Sequence, residues 1–562
     1  MSVADALRSA GGLLRRRTNA VLPYYALSAA TVDVTRLPLL VGVVVAYLAL
    51  TSTGQLSPLL DEFAALNPEL LGPESPEALP PELGDRLAAV LFSPTVVVPV
   101  ALAAAVALVV SVLVRGVTRA AALSAVDAGL ATRDPLAAGL RGMRRWKTFA
   151  GLVVVRWGLL LAAGIPFLAA VVGASATLGA TPGMAALGQG AVVAVLAALV
   201  GGLVSLLAVV AVVALLAFAG PAAVVDDLGL GAAVRRSAGV PFAHPVGFLL
   251  YGVVVVGTYV GLGVGTVLFG IAGVERLVAV TSAFLVSPLL DGVAVALYTD
   301  WTDAASRPAE TDAESSAAAD DDDERVDTGG EADESGFVFG EREPAERGDE
   351  DEDGDEDEDE DDTERIAEAV GGALRDGIRE LGRFVRTGWY YVVVAAAALL
   401  AGVAGGWTAT AGSGVRIGTP ADPGSVFGLV PVGPFVNIAV NNWFVASNAG
   451  FAGLFAGLPT LGTLVFNGLL VGAVAGVVDP VAFVAFVGPH GVVELPAIAV
   501  AGGVGLRLGH VAWGVWRDER PTAALADELG LTWRRVVGLL AVFVVAGFVE
   551  AFVTPQVAAA VL

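Results

Sequence analysis

The chain has 562 residues, is 56% hydrophobic with a mean hydropathy of +0.74, and carries a formal charge of −25. That composition excludes an ordinary soluble protein. The lack of cysteine excludes disulfides, thiolate metal sites and cysteine nucleophiles. The charge is concentrated rather than spread: residues 303–362 hold 29 acids against Arg307, Arg325, Arg342 and Arg347, which equals the whole excess and leaves the apolar parts neutral.

A helix crosses the hydrocarbon with about 20 apolar residues, and eleven stretches qualify in chain order. Six lie at 37–53, 95–114, 149–172, 191–219, 246–270 and 277–298, and five at 389–408, 437–458, 459–478, 489–510 and 536–555. The first starts only at Leu37, behind Arg15-Arg16-Arg17, so no secretory signal is visible. Arginine and lysine prefer cytoplasmic loops. Residues 54–94 carry seven acids and one base, whereas 115–148 carry seven bases and two acids. The predicted protein is therefore a multi-pass cell-membrane protein with the N-terminus inside and the C-terminus outside. Its fold class is all-α and integral to the membrane, with two helical bundles of six and five spans. Residues 1–302 form the first domain, 303–363 an acidic cytoplasmic linker and 364–562 the second domain. The linker cannot bury enough apolar surface to offset the entropy of ordering, so disorder is expected there. Lys147 stands alone beside 31 arginines, a bias that with the acidic tract suits a salt-adapted, GC-rich source such as a haloarchaeon.

Ionisable groups at membrane depth are costly and mark pairing or function. In the first half Arg156 and Asp291 fall at similar depth, about 10 Å from the cytoplasmic side at ~1.5 Å per residue, and are expected to pair. In the second half His490 and Glu494 share a helix face through their i, i+4 spacing. Topology brings Glu550 and Asn442 to comparable depth, with Asn467 deeper in a neighbouring span. Hydrogen bonds that lock helices, a conduction or proton-relay role and hydrolytic catalysis are the alternatives for this polar site, although an intramembrane hydrolase would lack a convincing nucleophile here. The spacing lacks the second histidine of an H-E-x-x-H helix, and with three histidines in the chain no metal site is expected. No cofactor or P-loop is read either. Gly468, Gly472, Gly502, Gly505 and Gly509 stand at intervals that let helices pack closely.

"NGLLVGAVAG" at 467–476, "PHGVVELPAIAVAGGVGLRLG" at 489–509 and "VEAFVTP" at 549–555 resemble the stage II sporulation protein M family of integral membrane proteins. The resemblance runs from Trp389 to the C-terminus. It marks Asn442, Asn467, Gly468, Pro489, His490, Gly491, Glu494, Pro496 and Glu550 as the matching positions. It implies a membrane anchor of an envelope-remodelling complex, although a haloarchaeal chain has no forespore to engulf. "LGLGAAVRRSAGV" and "SPLLDGVAVALYTDW" in the first half are similar to the membrane domain attached to some glycerophosphoryl diester phosphodiesterases, without that enzyme's catalytic residues. The expected function is that of a non-enzymatic scaffold of an envelope assembly. Its partners would be the lipid bilayer and another membrane or envelope protein, and nucleic acid is not among them. The alternative is a transporter or channel lined by Asn442, His490, Glu494 and Glu550.

Overall fold

In a bilayer every backbone polar group must be satisfied within the segment, which leaves helices and closed barrels as the spanning structures. The computed structural model describes residues 1–66, 80–179, 189–302, 355–418, 427–428 and 430–562, and every regular element among them is helical. In order the helices are α1 Val3–Ala29, α2 Thr31–Ser52, α3 Leu56–Ala64, α4 Pro81–Leu91, α5 Pro94–Leu130, α6 Pro135–Gly142, α7 Trp146–Gly179, α8 Gln189–Leu215, α9 Ala219–Val225, α10 Leu230–Ala243, α11 Pro245–Ile271, α12 Arg276–Thr281 and α13 Ser287–Trp301. After the acidic tract follow α14 Asp355–Thr387, α15 Trp389–Thr410, α16 Val432–Ala452, α17 Leu458–Val477, α18 Pro480–Trp516, α19 Thr522–Phe548 and α20 Thr554–Val561. Residues 303–354, most of the expected linker, lie outside the described residues, and 355–363 belong to the start of α14.

Ten helical segments among the described residues are long and apolar enough to cross a membrane, six before the acidic tract and four after it. The chain is thus a multi-pass membrane protein. The counterpart of the stretch at 437–458 is α16, which is not among the ten; its four asparagines, 437, 441, 442 and 448, dilute an otherwise apolar helix.

Several helices overrun the expected spans. At ~1.5 Å per residue, the 37 residues of α5 and of α18 each extend about 55 Å, well beyond the ~30 Å hydrocarbon. In α5 the overrun absorbs residues expected to form a basic loop. In α18 Pro489 is an interior residue rather than the helix start. The start is at Pro480, where the Asp479 carboxylate accepts from the backbone N–H groups of Val481 (2.9 Å) and Ala482 (3.1 Å). Asp479 therefore caps α18 instead of closing the preceding helix. Pro lacks an N–H and fits the first turn at Pro480, while α18 continues as one helix through Pro489 and Pro496.

The two halves share one core. Phe284, in the π-helical turn Ser282–Val286 before α13, sits 5.7 Å from the Trp443 ring and 5.5 Å from the Trp533 ring. Asn437 donates to the Gly273 carbonyl (2.7 Å) and accepts from the Arg276 N–H (3.1 Å). Asp33 on α2, 5% exposed, accepts from the Thr463 hydroxyl on α17 (3.1 Å). The amphipathic α1 starts with a capping box between Ser2 and Asp5 and turns Val3, Ala6, Ala10 and Leu13 inward. It packs on α5 and α13 of its own half and on α19 of the other.

Candidate functional site

Within the second half, close backbone approach sets the frame. A β-carbon added to Gly468 would stand 2.1 Å from the Leu399 carbonyl oxygen, and one added to Gly472 only 1.9 Å from that of Val403, so α17 and α15 meet along a glycine ridge. Gly502, Gly505 and Gly509 face Leu464, Ala449 with Thr460, and Gly453 with Gly457 respectively, which seats α18 against α16 and α17. Trp443 on α16 donates its indole N–H to the Val536 carbonyl of α19 (2.8 Å), and α18 and α19 run side by side.

That arrangement brings His490 and Glu494 of α18 together with Glu550, which follows α19. One potential ligand atom from each lies within 4.8 Å of the others, and all three residues are half-buried. Glu550 sits in a second π-helical turn, Val549–Val553. Pro555 has no N–H for the carbonyl four residues back, and the Thr554 N–H bonds the Val549 carbonyl five residues back. The Thr554 hydroxyl reaches the same carbonyl at 3.2 Å. That hydroxyl also lies 3.4 Å from His490 Nδ1. With its one hydrogen on Val549, that hydroxyl has an oxygen lone pair to accept from Nδ1–H, the tautomer that leaves Nε2 with a free lone pair. Phe548 and Phe552 stack at 4.9 Å beside the turn, and Phe435 of α16 closes on both edges.

Two of the other expected members have local partners. Asn442 accepts from the Asn441 amide at 3.2 Å. Asn467 donates to the Thr463 carbonyl (2.8 Å) and lines a separate cleft of about 130 Å³ with Asp33, Arg36 and Leu37 of the first half. The expected pair of Arg156 and Asp291 is corrected. Asp291, 6% exposed, is gripped by both terminal nitrogens of Arg119, one at 2.6 Å, and accepts from the Tyr25 hydroxyl at 2.7 Å. Depth points to Arg156 because hydropathy leaves Arg119 in the loop after residue 114. The rotation of α7 leaves Arg156 on its exposed face, whereas the extension of α5 beyond residue 114 carries Arg119 to Asp291.

A second charged cluster, unforeseen from the sequence, occupies the other end of α19. Arg535, 5% exposed, donates to Glu380 of α14 (2.9 Å) and Glu528 (2.5 Å), and its guanidinium lies 4.7 Å from the Phe384 ring centre. Arg507 of α18 reaches Glu528 at 3.4 Å. Residues 511–535 read as a loop, so their charges carried no signal of burial. Glu528 and Glu550 are 22 positions apart on one continuous helical rod, about 33 Å at ~1.5 Å per residue, close to the ~30 Å hydrocarbon thickness. The two polar clusters therefore bracket the apolar length of the bundle.

Residues 394–555 match the family model described as Stage II sporulation protein M, a stretch that includes His490, Glu494, Glu550 and Thr554. No curated protein and no solved structure matches the chain.

Proposed function

We propose that the protein is a non-enzymatic organiser of an envelope-associated assembly, a membrane platform on which another membrane or envelope protein docks. The observation that carries this reading is the shared core. Phe284, Asn437 and Asp33 join the halves at three separate places, and α14, which leads out of the acidic tract, is fastened to α19 through Glu380 and Arg535. Polar residues spent on joining helices suit a body that holds its shape under load. In this reading the arginine-rich end of the bundle, with Arg535, Arg507 and Arg383 beside Glu380, faces the cytoplasm, as the preference of arginine for cytoplasmic loops suggests, and the cluster of His490, Glu494 and Glu550 faces the outer side. Isolation of the full-length chain from its native membranes should recover a partner at fixed stoichiometry, and truncation before α15 should lose it. Recovery of the full chain alone would overturn the proposal.

A second reading is favoured by the gathering of His490, Glu494 and Glu550 at one end: passage of a proton or solute along an outward-facing path that Asn442 extends. Reconstituted vesicles test it. The Glu494→Gln variant should abolish a flux that the unaltered chain supports, and equal flux in both would sink this reading.

A further inference from the structure

We infer that His490, Glu494 and Glu550 form a binding site for one divalent transition cation of the zinc class. The argument starts from charge. Two carboxylates held within 4.8 Å of each other and of a common imidazole repel one another, and a cation between them turns that repulsion into attraction. Among the described residues no arginine or lysine pairs with either one, in contrast to Glu380, Glu528 and Asp291, each of which holds an arginine. A dication would neutralise the two carboxylates completely.

The donor set then selects the metal. One imidazole nitrogen and two carboxylate oxygens suit zinc and its first-row neighbours, whereas calcium and magnesium ask for six or more oxygens. Zinc–ligand bonds of ~2.0–2.2 Å place tetrahedral ligands about 3.4 Å apart. Side-chain movements of about an ångström bring the three atoms to that separation. Three protein ligands leave the fourth position for water. Thr554 beside Nδ1 gives the histidine a partner of the kind that orients a ligand, since the tautomer with Nδ1–H on Thr554 leaves the Nε2 lone pair for the cation. The ligands come from two helices that nothing covalent joins at this end, so the cation would tie the Glu550 turn to α18. The inference does not depend on whether the protein organises partners or passes solutes.

The test uses the full-length protein in detergent, stripped with a chelator and titrated with zinc, magnesium and calcium. One zinc per chain should bind, and zinc should raise the thermal midpoint of the unaltered protein, with the chelator reversing the shift. Glu494→Gln, Glu550→Gln and His490→Ala should each weaken binding by tenfold or more. Thr554→Val, which leaves every ligand in place, should weaken it about tenfold. Glu519→Gln, at an exposed surface pair with Arg517, should bind as the unaltered chain does. Substoichiometric zinc, an unmoved midpoint, undiminished binding by the glutamine variants or equal binding of calcium would overturn the inference. The absence of zinc binding together with a pH-dependent midpoint that Glu494→Gln removes would show that a shared proton holds the carboxyl pair, and would overturn it as well.

Discussion

Asp291 is buried, and its compensation comes from Arg119 and Tyr25. Removing one partner of a buried ion pair leaves the other uncompensated at a cost of about 3–5 kcal/mol. Arg119 is 47% exposed and Tyr25 still donates to Asp291, which offsets part of that cost, so the Arg119→Ala variant should lose about 1–3 kcal/mol of stability, read as a drop in thermal midpoint in detergent. Arg156→Ala, on an exposed face, should leave the midpoint where it is. An equal loss in both variants would contradict the assignment. At this scale the sequence was legible where a short-range rule applied. The i, i+4 spacing placed His490 and Glu494 on one face, and antiparallel topology brought Glu550 to their depth. It was silent on Thr554, because a threonine in an apolar run has no pattern of its own. It also misplaced Arg119 and Arg535, whose apparent loops are helical and partly buried.

Elements owe their irregularities here to one local device used twice. Ser287-Pro288 and Thr554-Pro555 each follow a π-helical turn, and in each the hydroxyl bonds a carbonyl five residues back, Ser282 at 2.8 Å and Val549 at 3.2 Å. Such turns rotate the helix beyond them relative to the helix before. The first precedes Asp291 by one turn and the second contains Glu550, so both aim a carboxylate. Pro555→Ala restores a donor at that position and permits the ordinary four-residue ladder. It should turn Glu550 away from His490 and make crosslinking of cysteines placed at 490 and 550 markedly less efficient than in the Pro555 background. The helix contacts allow a sharper comparison. Gly472 faces the Val403 carbonyl at a distance no β-carbon tolerates, whereas Gly252 has open space around it. Gly472→Ala should cost about 1–3 kcal/mol by forcing α15 and α17 apart. Gly252→Ala should be neutral or slightly stabilising, since alanine is the better helix former by about 1 kcal/mol. The four-residue glycine steps were visible in the sequence. Which helix they face was not, because spacing fixes a stripe and leaves its partner open.

For the whole molecule, hydropathy divided the chain at the acidic tract, and the described structure crosses that division through several independent contacts. Periodicity describes each helix alone, so contacts such as Phe284 with Trp443 and Trp533 leave no trace in it. Spanning helices are stable individually in a bilayer, and their association is driven by packing and interhelical hydrogen bonds rather than by the hydrophobic effect. Chain continuity through residues 303–354 then supplies proximity and little else. Fragments 1–302 and 355–562, co-expressed in one membrane, should assemble and purify together at one to one. Substituting Asn437 by Leu together with Phe284 by Ala removes two of the joints while keeping both surfaces apolar. The pair should fall apart in detergent while each fragment remains membrane-inserted. Interhelical hydrogen bonds in membranes contribute only ~0.6 kcal/mol on average, so the aromatic wedge should account for most of the loss, and Asn437→Leu alone should leave the pair associated. If the unaltered fragments do not co-purify, the joints at Gly273, Phe284 and Asp33 are too weak to hold the halves without the linker, and the protein is better described as two bundles tethered by their acidic connection.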